Sequence, residues 1–497
     1  MHKFLVFILI FSSLTLTAAA QSGRVGEATN QPSDSTSASE TPTPKAMYEE
    51  ASDYSKKKFD EFRQKKLPYS ETLYRQTVRE QKQLAARYAA TILARRNAPP
   101  AGEDFYYLGM LHWLAQNFEG AGEALRKFFE TKDAASATTA ATGENLQTAR
   151  SVMTVIAARA KNFAEAEKFL SDYLKSEPVR QHERFKMESE LAESYRAAGD
   201  FAKAAAHAEE AYRSAKSSLG QPRQEDAASR TRALAESLES AMTLYEIYRE
   251  SGDRKNAETT LVDLQKTAAQ VDSSAVYYYV VDQLIRFFIE TGRKPAALEF
   301  YRAAPNQTKK DFSNKASQND VLRRLSRREK HYELLGEIAP ELASVERWYP
   351  APVNASGRAK TLADLRGKIV LLDFWATWCG PCIAAFPKLT EWHETFQKDG
   401  LVILGLTRYY AAAAEGSTKE DEKTEADLIA GMKLKFRVPY DFVLAKDALN
   451  HHNYGADGIP TAVLIDRKGV IRYIDSGTSI GREEELRKII EKLLAEK

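Results

Sequence analysis

The two cysteines of this 497-residue chain, Cys379 and Cys382, lie together in the stretch WCGPC at residues 378–382. An apolar run at residues 369–376 comes directly before and predicts a buried strand. The residues after the second cysteine predict the start of a helix. A Cys-x-x-Cys pair at a strand-to-helix junction suits dithiol–disulfide exchange, because one thiolate attacks a partner disulfide and the second thiol resolves the mixed disulfide.

The predicted helix start would activate the first cysteine. Cys379 is expected at the helix N-terminus, where unpaired backbone N–H groups and the helix dipole favour a thiolate and lower the thiol pKa. Cys382 lies one turn further in, so we expect it to be more buried and to act as the resolving thiol. Pro381 costs little in the first turn, because the N–H that it lacks would have no partner inside the helix.

The cysteine pair could instead be half of a zinc site or a structural disulfide. A four-coordinate zinc site needs further Cys or His ligands, and the chain has no third cysteine. The adjacent histidines His451 and His452 are predicted to lie in a solvated polar loop. The sequence therefore favours redox chemistry and predicts no metal site.

The stretch LLDFWATWCGPC resembles the thioredoxin active site, and Pro387 matches the helix-kinking proline of that family. Downstream, GIPT at residues 458–461 is followed by two apolar runs, an order similar to the cis-proline loop and closing hairpin of thioredoxin folds. The segment GRAKTLADLRGK at residues 357–368 resembles the lead-in of TlpA/ResA-type exported thioredoxins. The resemblance covers residues 343–497 and implies an α/β thioredoxin fold there.

This resemblance implies the substrate-binding residues. Pro460 should lie against the cysteine pair, and the Ile459 backbone should pair with the substrate. Trp378 and Trp375 are expected to flank the site and limit approach to it. The predicted substrate-binding set is Trp378, Gly380, Pro381, Ile459 and Pro460.

Asp373 is the predicted proton acceptor for Cys382. It occupies the strand position where thioredoxins keep a buried aspartate, whereas Ala385 replaces a glutamate that TlpA/ResA-type domains often carry. A carboxylate buried in an apolar strand should have a raised pKa, which suits proton exchange near neutrality. The alternative is a structural aspartate at a strand end that bonds only to backbone.

The cysteine count also predicts the partners. Because no further cysteine can pass electrons within the chain, a separate thiol electron donor must renew the pair, and a membrane reductase could fill that role. The clients are predicted to be proteins with disulfides. No Gly-rich phosphate loop is present, so no cofactor is predicted.

The N-terminus predicts export. Residues 1–20 combine a short apolar stretch with an Ala-rich cleavage site and are typical of a signal peptide, with an uncleaved membrane anchor as the alternative. Residues 21–45 are rich in Ser, Thr and Pro and predict a disordered linker. The expected location is therefore periplasmic or extracellular, with membrane tethering if the leader stays.

Residues 46–340 predict an all-α domain of helical repeats that resembles the tetratricopeptide (TPR) repeat. Each unit has a Gly- or Asn-containing turn followed by an alanine, and these alanines are Ala121, Ala166, Ala204, Ala257 and Ala297. The predicted fold class is thus multidomain, a TPR-like domain followed by the thioredoxin fold. Stacked helix pairs commonly bind a peptide or protein. The array could dock a partner, or it could be a spacer or dimerisation module.

The formal net charge of +2, with both signs interspersed, argues against nucleic-acid binding. The basic run at residues 323–330 is predicted to be a solvated helix face. The acidic run at residues 415–425 is predicted to be an exposed insertion before a helix that begins near Ala426.

Together these features predict an exported thiol-disulfide oxidoreductase. Gly-Pro between the cysteines resembles the reducing thioredoxins, so reduction of client disulfides is the favoured direction. Two alternatives stay open: a disulfide oxidase or isomerase, and a TPR-like scaffold whose redox domain is regulatory.

Overall fold

The computed structural model describes residues 42–68, 70–95, 98–131, 140–219, 227–349, 361–410, 418–477 and 480–496. The predicted signal peptide, and all of the predicted linker except its last four residues, lie outside these ranges. Within them, no helix is both long enough and apolar enough to cross a membrane.

The part of the chain before residue 335 is all helical where the structure describes it, as the sequence predicts. Its helices are α1 Pro44–Gln64, α2 Glu71–Leu93, α3 Asp104–Leu114, α4 Phe118–Phe129, α5 Ala140–Arg159, α6 Phe163–Leu174, α7 Gln181–Ala197, α8 Phe201–Leu219, α9 Ala227–Ser251, α10 Arg254–Gln270, α11 Ser274–Glu290, α12 Lys294–Asp311, α13 Lys315–Ser326 and α14 Glu329–Leu334.

Five consecutive helix pairs share one kind of turn. The backbone enters the left-handed region once in each turn, at Gln116, Lys161, Gly199, Gly252 and Gly292. Five residues after each of these, the second helix places an alanine that is fully buried. A small side chain there lets the two helices of a pair approach closely. The turn–alanine repeat thus holds in the structure, while its assignment as a TPR stays a prediction.

The turns also cap the helices that follow them. The Asn117 side chain accepts a hydrogen bond from the Gly120 N–H, at 3.0 Å, at the start of α4. Asp200 caps α8 in the same way through the Lys203 N–H, at 3.1 Å. An Asn or Asp directly after the left-handed residue therefore satisfies backbone donors that the helix leaves unpaired.

The C-terminal part forms a six-stranded mixed sheet with helices around it, in the strand order β1-β4-β3-β2-β5-β6. Strands β2, β3 and β4 are parallel to one another, and the other three neighbouring pairs are antiparallel. This is the predicted thioredoxin-like α/β fold. The elements are β1 Val345–Tyr349, β2 Ile369–Phe374, α15 Gly380–Phe396, β3 Leu401–Arg408, α16 Lys419–Lys435, β4 Asp441–Ala445, α17 Leu449–Tyr454, β5 Thr461–Ile465, β6 Ile471–Ser476 and α18 Ile480–Ala495.

Strand β2 is buried along its whole length and lies inside the sheet, between β3 and β5. Ile369, Leu371 and Trp375 belong to one core cluster with apolar side chains of α15, α16 and α18. Side chains alternate along a strand, so Asp373 shares this face. The apolar sequence of β2 therefore carries one carboxylate into the core beneath α15.

Helices α11 to α14 belong to the same compact unit as the sheet, because the chain divides into two units between Ala257 and Glu258. Inside the second unit, the Arg328 guanidinium is almost fully buried. It contacts Asp475 of β6 at 2.7 Å and Asp282 of α11 at 3.2 Å. The prediction of a solvated face for the basic run is therefore wrong at Arg328, although its neighbour Arg327 is exposed.

The segment after α14 covers the outer edge of β6. The Gly336 N–H donates to the Ile471 carbonyl at 2.9 Å, and the Ala339 N–H donates to the Gly469 carbonyl at 2.8 Å. An uncovered edge strand is a template for unwanted pairing with other chains. These bonds pair the start of that edge and join the helical segment to the sheet.

The acidic run contains the start of a helix, contrary to the prediction. Helix α16 begins at Lys419, and Thr418 and Asp421 form a capping box in which each side chain accepts from the other residue's backbone N–H. The predicted start near Ala426 was wrong because the charged residues hid the capping signal. Residues 411–417 lie outside the described ranges.

Candidate redox site

The two cysteines are joined by a disulfide at the start of α15. Cys379 is the N-cap residue, and its sulfur accepts a hydrogen bond from the Cys382 N–H at 3.2 Å. In the reduced protein, the same N–H and the helix dipole would stabilise a thiolate on Cys379. Cys382 is fully buried and Cys379 is 4% exposed, so the first sulfur is the nearer to solvent.

Three residues next to Cys379 are exposed to solvent. Trp378 is 65% exposed, and Gly380 and Pro381 are also exposed. Three of the five predicted substrate-binding residues thus form a solvent-facing rim beside the disulfide. Their roles in binding stay predictions.

Asp373 lies in the core with 4% of its surface exposed. Its Oδ2 has no hydrogen-bond partner among the described residues. Burial raises the pKa of Asp373 to about 7, and the positive charge of Arg482 opposes this rise. The carboxyl can therefore exchange a proton near neutral pH, as a general base should.

The loop before β5 lies beside the end of β2, because Thr461 pairs with Phe374 in the antiparallel ladder. The Ile459–Pro460 peptide bond is cis, Pro460 is buried, and its carbonyl accepts from the Gly477 N–H at 2.8 Å. Ile459 is half-buried and packs against the core cluster that contains both cysteines. The structure thus brings this loop and the cysteine pair to one side of the fold.

Trp375 and Trp378 do not flank the site together as the sequence suggested. Trp375 is fully buried and packs against Phe386 and Phe442. The alternation of strand residues turns it into the core. Trp378 alone of the two meets solvent, so the prediction was wrong for Trp375.

Sequence reasoning missed an aromatic neighbour of the site, Tyr410. Its ring packs edge-on against Trp378, with centroids 5.4 Å apart, and the Arg408 guanidinium lies 4.1 Å from its centroid. Arg408 is the last residue of β3, a parallel neighbour of β2, and Tyr410 follows two residues later. Their position after a buried strand was the signal that could have found them, because carboxyl ends of parallel strands meet at one edge of a sheet.

His451 is part of this neighbourhood and is not a solvated loop residue. It lies in α17, is 7% exposed, and shares a 2.9 Å hydrogen bond between its Nε2 and the Tyr410 hydroxyl. Burial, together with the charge of Arg408, lowers the pKa of His451 to about 4. The imidazole is therefore neutral at neutral pH, while its neighbour His452 is exposed as predicted.

Residues 335–474 match the AhpC/TSA family. The thiol-disulfide oxidoreductase ResA of Geobacillus thermodenitrificans is 32% identical over 125 residues, which is 25% of this chain and 64% of that protein. The ResA of Geobacillus kaustophilus is 30% identical over 152 residues, 30% of this chain and 74% of that protein. The thioredoxin-like protein YneN of Bacillus subtilis is 32% identical over 130 residues, 26% of this chain and 69% of that protein.

The family match includes Cys379 and Cys382. The chain spans 64% of the length of the first of these relatives.

Proposed function

Since the chain belongs to the family of thioredoxin-like thiol-disulfide oxidoreductases, we propose that it reduces disulfides of exported protein clients through Cys379 and Cys382. One observation carries the proposal. The disulfide caps the N-terminus of α15, and a buried carboxyl, Asp373, lies on the β2 face beneath that helix. The site thus combines an activated thiol, a resolving thiol and a candidate proton acceptor.

The reaction balances with the groups at the site. In the reduced protein, the Cys379 thiolate attacks one sulfur of a client disulfide, which forms a mixed disulfide and releases a client thiolate. Asp373 then takes the proton of the Cys382 thiol, and the new thiolate attacks the Cys379 sulfur. Both client sulfurs leave as thiolates, and the proton held by Asp373 and one from solvent convert them to thiols. Two electrons have then passed to the client, and the Cys379–Cys382 disulfide remains.

A separate thiol donor must then reduce this disulfide again. Export, the identity of this donor and the docking of clients on the helix pairs are parts of the proposal. The small net charge of +2, the interspersed charges of both signs and the helical architecture support a protein partner. The exposed Trp378 offers an apolar contact for that partner beside the reactive sulfur.

The direction of electron flow is tested by the reduction potential of the cysteine pair, equilibrated against glutathione or thioredoxin. We expect a value near about −270 mV, in the range of reducing thioredoxins. A value between about −180 and about −120 mV would indicate an isomerase or oxidase and would overturn the proposed direction.

The activity itself is tested by trapping. Cys382→Ser should accumulate mixed disulfides with several clients, because the resolving thiol is gone. Cys379→Ser is the matched control, since it removes the attacking sulfur and should trap none. A single partner that binds equally after loss of both cysteines would instead favour the scaffold function of the helical region.

A further inference from the structure

Three strands place two aspartates in one lateral row of the sheet. Asp373 of β2 is paired with Ala462 of β5, and Ala462 is paired with Asp475 of β6. Paired residues of adjacent strands point to the same face, so both carboxylates share the face that α18 covers. With strands about 4.8 Å apart, the two aspartates are about 10 Å apart, and the small side chain between them is an alanine.

Arg482, in the first turn of α18, is bonded to the Asp475 end of this row. Its Nη2 donates to the Asp475 carbonyl at 2.6 Å, and Nη1 donates to the Gly477 carbonyl. Its Nε lies 3.5 Å from the Asp475 carboxylate, and its side chain is 12% exposed. The guanidinium is therefore fixed at the end of β6, with little water to screen its charge.

The anchor of Arg482 is itself held by the helical segment. The Asp475 carboxylate also accepts from the buried Arg328 at 2.7 Å, and Arg328 contacts Asp282 of α11. Alternating charges thus connect α11 to α18 on the face of the sheet that Asp373 shares. The cysteine chemistry described above uses none of Asp282, Arg328, Asp475 and Arg482.

We propose that Arg482 is a positioning residue for disulfide exchange: held in place by Asp475, its charge favours the ionised form of Asp373, the form that takes the proton of Cys382. This inference rests on the proposed function. A mobile or neutral side chain at position 482 would leave Asp373 in an apolar core with nothing to favour its charge.

The groups that face Asp373 define the sign of the effect. Burial disfavours its charged form, Arg482 of α18 favours it, and the hydroxyl of Tyr440, just before β4, is electrostatically coupled to it. The cysteines come from α15. Removal of the Arg482 charge should raise the pKa of Asp373 further, by about one unit. Less of the carboxyl would then be ionised at pH 7, and the resolving step would slow.

The test uses the full-length protein with glutathione disulfide as the client. Arg482→Gln should move the inflection of the resolving rate upward by about one pH unit and slow that step several-fold at pH 7, with recovery at high pH. Arg482→Lys should keep the wild-type inflection because it keeps the charge. If Arg482→Gln does not fold, Arg482→Met, which keeps the apolar stem, replaces it.

An infrared titration of the same variants reads Asp373 directly, through the carboxylic-acid band that disappears in Asp373→Asn. The matched control is Arg472→Gln, which removes a β6 arginine paired with Asp466 and Glu496 and should move neither readout.

Three results would overturn the proposal. If the rate falls equally at every pH and the infrared midpoint stays fixed, Arg482 only anchors β6. If the infrared midpoint shifts but the pH dependence of the resolving rate does not, Asp373 is not the proton acceptor of the proposed function. If Arg472→Gln shifts both as much as Arg482→Gln, the effect is not specific to Arg482.

Discussion

Two buried aspartates of the same unit have opposite electrostatic environments. Asp373 is 4% exposed, its Oδ2 has no hydrogen-bond partner among the described residues, and burial raises its pKa to about 7. Asp282 is 6% exposed, and its burial alone would raise its pKa. Arg286 and Arg328 outweigh that effect and hold the Asp282 pKa below its usual value.

The difference separates the proposed proton acceptor, Asp373, from a structural carboxylate, Asp282. A carboxyl that must exchange protons near pH 7 needs a nearly balanced environment, and that environment destabilises its charged form. A carboxylate that joins helices to a sheet needs paired charges, which keep it ionised at all ordinary pH values. The unit therefore contains an unpaired carboxyl oxygen of Asp373 in the buried strand β2 and a charge-paired carboxylate, Asp282, in α11.

Arg328→Met should give the largest change in stability. It removes the buried cation that Asp282 and Asp475 share, and the loss of one partner of a buried ion pair typically costs about 3–5 kcal/mol. Chemical denaturation followed by tryptophan fluorescence measures it, because four of the five tryptophans lie after residue 340. Arg323→Met, on the exposed face of α13, is the control and should cost less than about 0.5 kcal/mol. Equal losses would mean that the buried pairs contribute nothing particular.

Asp373→Asn should increase the stability of the protein, whereas Arg328→Met decreases it. The folded pKa of about 7 exceeds the ordinary value of 3.8, so the folded state binds the proton more tightly. Stability from this group is full below pH 4 and is lost as the pH rises to about 7. Removing the charge should therefore stabilise the protein by about 2–4 kcal/mol at pH 8 and by little at pH 4.

The same Asp373→Asn protein should resolve mixed disulfides more slowly, although it is more stable. Unfolding curves and insulin reduction, measured at both pH values, test the two effects together. A variant that is less stable at pH 8, or that keeps wild-type turnover, contradicts the assignment of Asp373 as a strained proton acceptor.

Asp282→Asn should destabilise the protein by a smaller amount, about 1.5–3 kcal/mol, because an amide still accepts a hydrogen bond from Tyr332 but no longer balances two arginines. Here the folded pKa is depressed, so the stability is present above the unfolded pKa and is lost as the pH falls through the folded one. The difference from wild type should therefore be seen at pH 7 and shrink in acid. A difference that grows in acid would refute the pairing.

The parts of this arrangement that are local could be predicted from the sequence. The apolar run, the WCGPC stretch and the helix after it are adjacent in the chain, so a strand, an N-cap cysteine and a buried Asp373 follow from neighbours alone. The turn and buried alanine of each helix pair are likewise only five residues apart.

The pairing of Asp282 with buried arginines could not be predicted in the same way. Arg328 stands among chemically similar arginines, and its burial depends on Asp475, which is 147 residues further along the chain. The contacts of Arg482 and His451 are equally hard to predict, because strand register and packing decide which side chains come together. Basic runs and histidine pairs are usually exposed to solvent, so the sequence alone predicted exposure for both.

The last comparison concerns two buried tyrosines, one of which should give the smallest effect. The Tyr332 hydroxyl donates to Asp282 at 2.6 Å, whereas the Tyr440 hydroxyl, coupled electrostatically to Asp373, is buried without a hydrogen-bond partner among the described residues. Tyr332→Phe should cost about 1.5–3 kcal/mol at most, since it removes a hydrogen bond to a charged group. Tyr440→Phe removes a buried hydroxyl that makes no such bond, so it should change stability by less than about 0.5 kcal/mol or increase it.

The same fluorescence-detected unfolding compares the two tyrosine variants at one pH. A loss in Tyr440→Phe as large as that in Tyr332→Phe would mean that the Tyr440 hydroxyl makes a stabilising bond in solution. Asp373 would be its nearest candidate partner, and Asp373 would then be compensated in the way that Asp282 is. The two aspartates would then no longer differ in the way described, because a hydrogen bond to the Asp373 carboxylate would stabilise its charged form and lower its pKa below 7.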